Sequence, residues 1–259
     1  INALRDGDPK AETGKGLIQV REREVLDATA SAVAWASAKR PPFTGKGIAV
    51  YDRQTTGAMG SATVVAETDG TVTVHTPIFD VGPGTHTVLR QIVGEELCLP
   101  LEVIKVVIMD TDAGPFDIGV EGSWVTLAHG TATLQAACQV REHLIGIAAE
   151  ILGRSADQIQ LRNGRFFAQG TSQKGISFSA VAERAREPIK AYVTYSPDLG
   201  RELRTFCAQV AEVEVDPETG NIELKQLVTS HSTGTILNPP MHQGQIEGAS
   251  MTGIGYGLM

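Results

Sequence analysis

Residues 61–97 read SATVVAETDGTVTVHTPIFDVGPGTHTVLRQIVGEEL. Two runs rich in valine and threonine, 61–66 and 71–76, flank Thr68-Asp69-Gly70. Asp-Gly between such runs predicts a β-hairpin, because glycine takes the φ > 0 position that a tight turn demands. Phe79-Asp80-Val81-Gly82-Pro83-Gly84-Thr85 then leads into Val88, Leu89, Ile92 and Leu97 at helical spacing. The same order returns near the end of the chain. Residues 206–215 alternate, with Cys207, Val210, Val213 and Val215 among the apolar positions. Asp216-Pro217-Glu218-Thr219-Gly220 turns the strand, and 222–228 run back. Ser232-Thr233-Gly234-Thr235 and Asn238-Pro239-Pro240 precede a glycine-studded helix beginning about Gln243. Strand, Asp/Gly turn, strand, glycine loop and helix thus occur over 62–97 and again over 206–259. This predicts an α+β fold built from two related strand–hairpin–Gly loop–helix subdomains.

The remaining segments follow from their periodicity. A helix is expected over 22–38, a short strand over 47–51 and a buried strand over 103–109. A loop over 110–122 enters a long helix over 124–152. Arg162-Asn163-Gly164 joins a second small hairpin, and the mixed stretch 170–199 contains a helix over 179–186. The expected division is an N-terminal helical segment at 1–44, a first subdomain at 45–170, and a linker with the second subdomain at 171–259.

Bulk properties exclude several classes. A formal charge of −8 argues against a nucleic-acid partner, since phosphate backbones call for a basic surface. No apolar run approaches the roughly 18 residues that span a membrane, and Ile1-Asn2-Ala3-Leu4-Arg5 does not begin a signal peptide. The cysteines, Cys98, Cys138 and Cys207, are odd in number and scattered, which fits reduced thiols in a cytoplasm. No cysteine or histidine pair has metal-ligand spacing, so no protein-ligated metal is expected. The chain starts without methionine and stops within the apolar Gly255-Tyr256-Gly257-Leu258-Met259. A fragment of a longer chain is expected.

Three glycine-rich junctions precede helices: Gly82-Pro83-Gly84-Thr85, Gly119-Val120-Glu121-Gly122-Ser123 and Gly244-Gln245-Ile246-Glu247-Gly248. A helix N-terminus offers free N–H groups and about half a positive charge to an anion, and glycine lets the backbone approach it. Thr85, Ser123 and Thr126 add hydroxyls. Tight turns and close helix packing account for the same glycines. No junction is a Walker A loop, because no Gly-Lys-Ser/Thr follows. The Rossmann Gly-x-Gly-x-x-Gly is missing after Val81, and the sheet does not read as parallel. Asp110 and Asp112 suit either a carboxylate pair or an Asx turn. Ser123 lacks the second glycine of a nucleophile elbow. His86 and His231 read as buried, hydrogen-bonded histidines, and Glu247 as a packing or capping group.

In order, these pieces resemble the molybdenum-binding subunit of the xanthine dehydrogenase/aldehyde oxidase family over about Gly45 to Met259. Asp69-Gly70 through Gly84-Thr85-His86-Thr87, Asp110-Thr111, Gly122-Ser123 with Gly130 and Ala132 carry the resemblance. So do Glu212-Val213-Glu214-Val215-Asp216 with Thr219-Gly220, and Asn238-Pro239 with Gly244-Gln245-Ile246-Glu247-Gly248. It implies a molybdopterin cofactor, in bacteria commonly the cytosine dinucleotide, held through pterin and phosphate without side-chain metal ligands. It implies that Gly82, Gly84 and Thr85 approach the cofactor near molybdenum. It further implies that Gly122, Ser123, Trp124, Val125 and Thr126 cradle pterin or phosphate, and that Gln245 bonds the pterin ring. The implied reaction hydroxylates an aldehyde or N-heterocycle and passes electrons to iron–sulfur clusters and FAD on partner subunits or domains.

The chain departs from the family pattern at four places. Pro83 stands where the family has a glutamine, and proline brings neither that amide nor a backbone N–H. Trp124 replaces an arginine or small residue. The family's general-base glutamate belongs to a Gly-x-Gly-Glu motif beyond Met259, and its arginine-bearing substrate loop precedes Ile1. The isolated chain is therefore expected to be inactive and to work with the remainder of a molybdenum subunit. The alternatives are a pterin- or anion-binding pseudo-subunit without chemistry, and a cofactor-free interaction domain.

Overall fold

A computed structural model describes residues 3–9, 14, 16–36, 40–54, 59–110, 112, 114, 117, 119–120, 122–170, 175–196 and 202–259. Thr111 of the resemblance and Glu121 of the second glycine junction fall outside these. In chain order the elements are β1 (Leu17–Ile18), α1 (Glu22–Ala32), β2 (Thr44–Gln54), β3 (Gly60–Ala66), β4 (Val72–Thr76), α2 (Thr85–Leu97) and β5 (Ile104–Ile108). Then follow α3 (Val125–Leu152), β6 (Ile159–Arg162), β7 (Arg165–Ala168), β8 (Ile176–Ser177), α4 (Phe178–Arg184), β9 (Ile189–Tyr195), β10 (Glu202–Val215), β11 (Ile222–Ser232) and α5 (Pro239–Leu258). The fold is α+β.

Two compact units emerge, each made of separated stretches. One holds Ile1–Thr56, Asp198–Ile236 and Gln245–Met259, and the other Gly57–Pro197 with Leu237–Gly244. We call them the α1 unit and the α3 unit. β2, whose residues 44–54 pair antiparallel with β10 across the whole middle of the chain, joins the separated stretches of the α1 unit.

In the α3 unit, strands run β5-β4-β3-β9. The hairpin of β3 and β4 is antiparallel, with Thr63 opposite His75. Its turn works as the sequence requires: Gly70 sits at φ 88°, and Asp69 Oδ1 accepts from both the N–H and the hydroxyl of Thr71 at 2.8 and 2.7 Å. Those two bonds hold the Asp69 carboxyl below the usual carboxylate range. A parallel pair, β4 with β5, departs from the antiparallel expectation. Helix α2 supplies the crossover that such pairing needs.

Helix α3 closes this sheet. Ala128, Ala132, Ala136, Val140, Leu144 and Ala148 recur at every fourth residue and are each 0% exposed. Four alanines in six positions bring the helix axis close to the strands. At Gly60 the approach is so tight that a Cβ would stand 2.7 Å from the backbone of Ala128 and His129. Val64, Val72, Val74, Leu97 and Leu144 fill the same core, each contributing about 1.5–3 kcal/mol by burial. The helix ends at Gly153, at φ 61°, where the Arg154 N–H returns to the Ala149 carbonyl in a glycine cap.

The second hairpin, β6 and β7, belongs to a sheet of its own with β8. Its Phe166 reaches the α3 core and packs on Phe178 of α4 with ring centroids 6.1 Å apart. Ser177 starts α4 by accepting from the Ala180 N–H at 3.2 Å.

In the α1 unit, β10 pairs with β2 and β11 antiparallel and with β1 in parallel. Phe206, Ala208 and Val210 alternate inward; Phe206 and Ala208 meet Val25 of α1. Thr29 is fully buried there and spends its hydroxyl on the carbonyls of Val25 and Ala208. Lys46 ties β2 to its neighbours through Glu212, at 3.2 Å, and the Val33 carbonyl. Among the described residues no helix is long and apolar enough to cross a membrane.

Candidate functional site

The first glycine junction is organised by a residue the sequence reading passed over. Asp80 Oδ1 accepts from the backbone N–H groups of Gly82, at 2.9 Å, and Gly84, at 3.3 Å, while Oδ2 accepts from His86 at 3.2 Å. The N–H groups expected to await an external anion are thus engaged by the chain's own carboxylate. Burial pushes the Asp80 carboxyl up, but the three backbone donors outweigh it and hold it below the usual range. Its signal was legible: an Asp two residues before Gly in a turn is an Asx pattern.

The sign of this shift gives a testable pH dependence. A carboxylate with a depressed folded pKa stabilises fully above the ordinary value and loses that contribution as pH falls through the folded one. Wild type and Asp80→Asn are expected to differ most in Tm above the ordinary aspartate pKa of about 3.9. Below the folded value they should converge. A gap that is constant down to the lowest accessible pH would show that the charge plays no part.

The junction residues themselves differ in what they leave open. Gly82 has φ 111° and open space where a Cβ would be, so its backbone can be approached closely. Gly84 precedes α2 at φ 78°, and a Cβ on it would lie 2.6 Å from Met241 Cγ. Met241 is in the first turn of α5, whose entry is fixed by Asn238 Oδ1 accepting from the Met241 N–H at 3.4 Å. Within the α3 unit, therefore, the first junction meets the first turn of α5. Thr85 opens α2 and is 8% exposed. His86 is spoken for, its Nε2 lying 3.1 Å from the Ile78 carbonyl.

At the second junction Gly122 and Ser123 both have positive φ, 57° and 62°. A serine in that region is uncommon, and its side chain is exposed. Trp124 follows and is buried. Its ring folds back over Gly122, where a Cβ would come within 2.7 Å of it. The indole N–H is buried and has no hydrogen-bond partner among the described residues. Val125 and Thr126 form the first turn of α3, half-buried and exposed respectively. Gly130, one turn on, admits Ile92 of α2, whose Cδ1 would stand 3.2 Å from a Cβ there.

Gln245 lies on α5, exposed, and is grouped with the α1 unit. None of the side chains of this helix is buried. The carboxylate pair resolves into turn chemistry, since Asp110 Oδ1 accepts from the Asp112 N–H at 2.9 Å. His231 packs beside Thr229, with Nε2 2.7 Å from its hydroxyl. No group of three potential metal ligands exists among the described residues. The three cysteines are half-buried free thiols, and burial raises Cys138, beside Glu96, to about 11.

A family profile described as Molybdopterin cofactor-binding domain matches residues 20–259. The chain is 34% identical over 224 residues to the 6-hydroxypseudooxynicotine dehydrogenase complex subunit gamma of Paenarthrobacter nicotinovorans, covering 83% of this chain and 28% of that protein. It is 31% identical over 219 residues to the aldehyde oxidoreductase molybdenum-binding subunit PaoC of Escherichia coli K12, covering 84% of this chain and 29% of the relative. It spans, then, under a third of the length of these relatives. Among solved structures, CO dehydrogenase from Oligotropha carboxidovorans superposes with a TM-score of 0.73 at 22% identity, covering 87% of this chain and 30% of that one. Quinoline 2-oxidoreductase from Pseudomonas putida 86 gives 0.72 at 24% identity, covering 88% and 31%. These two likenesses speak for the fold.

Proposed function

The chain belongs to the molybdopterin cofactor-binding domain family of the molybdenum hydroxylases, and from that premise we propose that it is the cofactor-holding part of an oxidoreductase that hydroxylates an aldehyde or N-heterocycle. The cofactor is the molybdopterin cytosine dinucleotide. Gly82, Gly84, Thr85, the run 122–126 and Gln245 are the residues that would hold it. The partners are the remainder of the molybdenum subunit and iron–sulfur and FAD subunits or domains, in the cytoplasm. No general base is assigned to this chain, and alone it is inactive.

One observation carries the reading toward a ligand. A buried N–H without an acceptor costs about 1–3 kcal/mol, and the Trp124 indole at the second junction has none among the described residues. A pterin carbonyl or a phosphate oxygen supplies the missing acceptor. The other features agree: Gly82 leaves room for close backbone approach, and Ser123 and Thr126 present hydroxyls in the same turn. Bound there, the cofactor supplies the redox-active metal; the chain's part is to bind and orient it.

The test is co-production with the partner subunits in a host that makes the cofactor, followed by molybdenum, pterin and cytidine analysis. Molybdenum and pterin near one per chain are expected. Trp124→Phe keeps the ring and drops the donor, so its pterin content should fall while its unfolding midpoint holds. Absence of molybdenum and pterin beside intact partners would overturn the reading. The chain alone should show no turnover of aldehydes or purines.

A further inference from the structure

His129 is 0% exposed, and its Nε2 lies 2.8 Å from Asp117 Oδ2. The Asp117 side chain is itself only 7% exposed. The two residues stand 12 apart in sequence, and Gly122, Ser123, Trp124, Val125 and Thr126 all fall between them. The other carboxylate oxygen, Oδ1, accepts from the Gly119 N–H at 2.8 Å. One carboxylate thus bends the incoming loop and fastens it to α3. Its anchor is stiff, because the backbone of His129 is pressed against Gly60 of β3, with no room for a Cβ between them.

We infer that Asp117 and His129 form a positioning clasp that fixes the backbone of residues 122–126 at the start of α3. An exposed pair of this kind contributes little, since water competes and both side chains lose freedom. A buried pair behaves differently. Removing one partner leaves the other polar group without water or ligand, so the pair opens only together with the segment it closes. The segment here needs such a closure. Ser123 holds a φ that L residues avoid, and such a conformation persists only where the surroundings over-determine it. The clasp acts on the loop whatever the loop binds; only its importance for the cofactor rests on the function proposed above.

Trp124 reports on the clasp directly, because Trp35→Phe leaves it as the sole indole of a chain with two tryptophans. In that background Asp117→Ala is compared with Asp117→Asn, whose Oδ1 keeps an acceptor for the Gly119 N–H and whose Nδ2 donates to His129 Nε2 in the Nδ1–H tautomer. Hydrogen exchange at amides 119–129 should quicken about ten-fold or more in Asp117→Ala, and acrylamide quenching of Trp124 should rise. Amides 136–148 should keep their protection, and Asp117→Asn should stay near wild type. Unchanged exchange and quenching in Asp117→Ala would overturn the clasp, as would an equal loss of protection across 136–148. Should Asp117→Ala fail to fold, the wild type decides: protection at 119–124 equal to that of the first turn of α3 supports the clasp, and solvent-like exchange refutes it. Pterin content of the same chains, co-produced with their partners, keeps the two claims apart. A loosened loop with no pterin even in wild type sinks the functional reading alone, and an unmoved loop sinks the clasp alone.

Discussion

Phe166→Ala is expected to destabilise the α3 unit by about 3–5 kcal/mol, enough to remove much of the stability of a domain this size. Phe166 is 0% exposed and stacks on Phe178 with an interplanar angle of 26°. It stands on β7, in the small sheet, yet its side chain joins the core under α3. Truncation removes the burial of a whole ring and leaves a void beside Phe178 in the core under α3. Phe166→Leu keeps most of the volume and should cost about 1.5 kcal/mol or less. Denaturant unfolding followed by far-UV circular dichroism measures both. If Phe166→Ala lost under about 1 kcal/mol, the β6–β7 hairpin would be a surface appendage and not part of the core.

That hairpin marks the boundary of what the sequence made visible. Arg162-Asn163-Gly164 announces a turn because the φ > 0 requirement is local, and Asn163 and Gly164 sit at φ 47° and 67°. Where the hairpin packs is not local, and only its distance from α3 in the fold decides it. The same division holds elsewhere. The Asp69-Gly70 turn, the fourfold spacing of α3 and both glycine-loop helices were legible from side-chain pattern alone. Strand β9 was not: its inward residues, Ala191 and Val193, include a small one, so the alternation is faint, and its partner β3 lies far back in the chain. The parallel pairing of β4 with β5 was available in principle, since strand, helix and strand follow one another there. The strong Asp-Gly hairpin signal of β3 and β4 masked it.

At the candidate site the glycines and hydroxyls could be named from sequence, but not what engages them. Asp80 filling the backbone donors of its own loop is an interaction over two to six residues, close enough to have been read. Asp117 with His129 spans a loop, and a carboxylate and an imidazole at that spacing carry no local signature. The buried indole of Trp124 was legible only as a bulky replacement for a smaller or charged residue. Its lack of a hydrogen-bond partner among the described residues is a property of the fold.

Gly84→Ala is expected to cost about 2–4 kcal/mol, from two separable sources. The first is conformational. Gly84 holds φ 78°, and an L residue in the left-handed region costs about 1–2 kcal/mol. The second is steric, because the new Cβ would meet Met241 Cγ at 2.6 Å, and Cβ and Sδ at 3.3 Å. Gly82→Ala, which adds a methyl to open space at φ 111°, has a purely conformational cost for comparison. Met241→Ala isolates the second, by removing the side chain that Gly84 has to clear. The double variant Gly84→Ala/Met241→Ala should therefore recover the steric part, a coupling of about 1–2 kcal/mol in a double-mutant cycle. If the single substitutions at Gly84 and Met241 were additive, the contact would be slack. If Gly84→Ala alone lost pterin while the double variant regained it, the Gly84–Met241 contact would be what sets the first junction for its ligand.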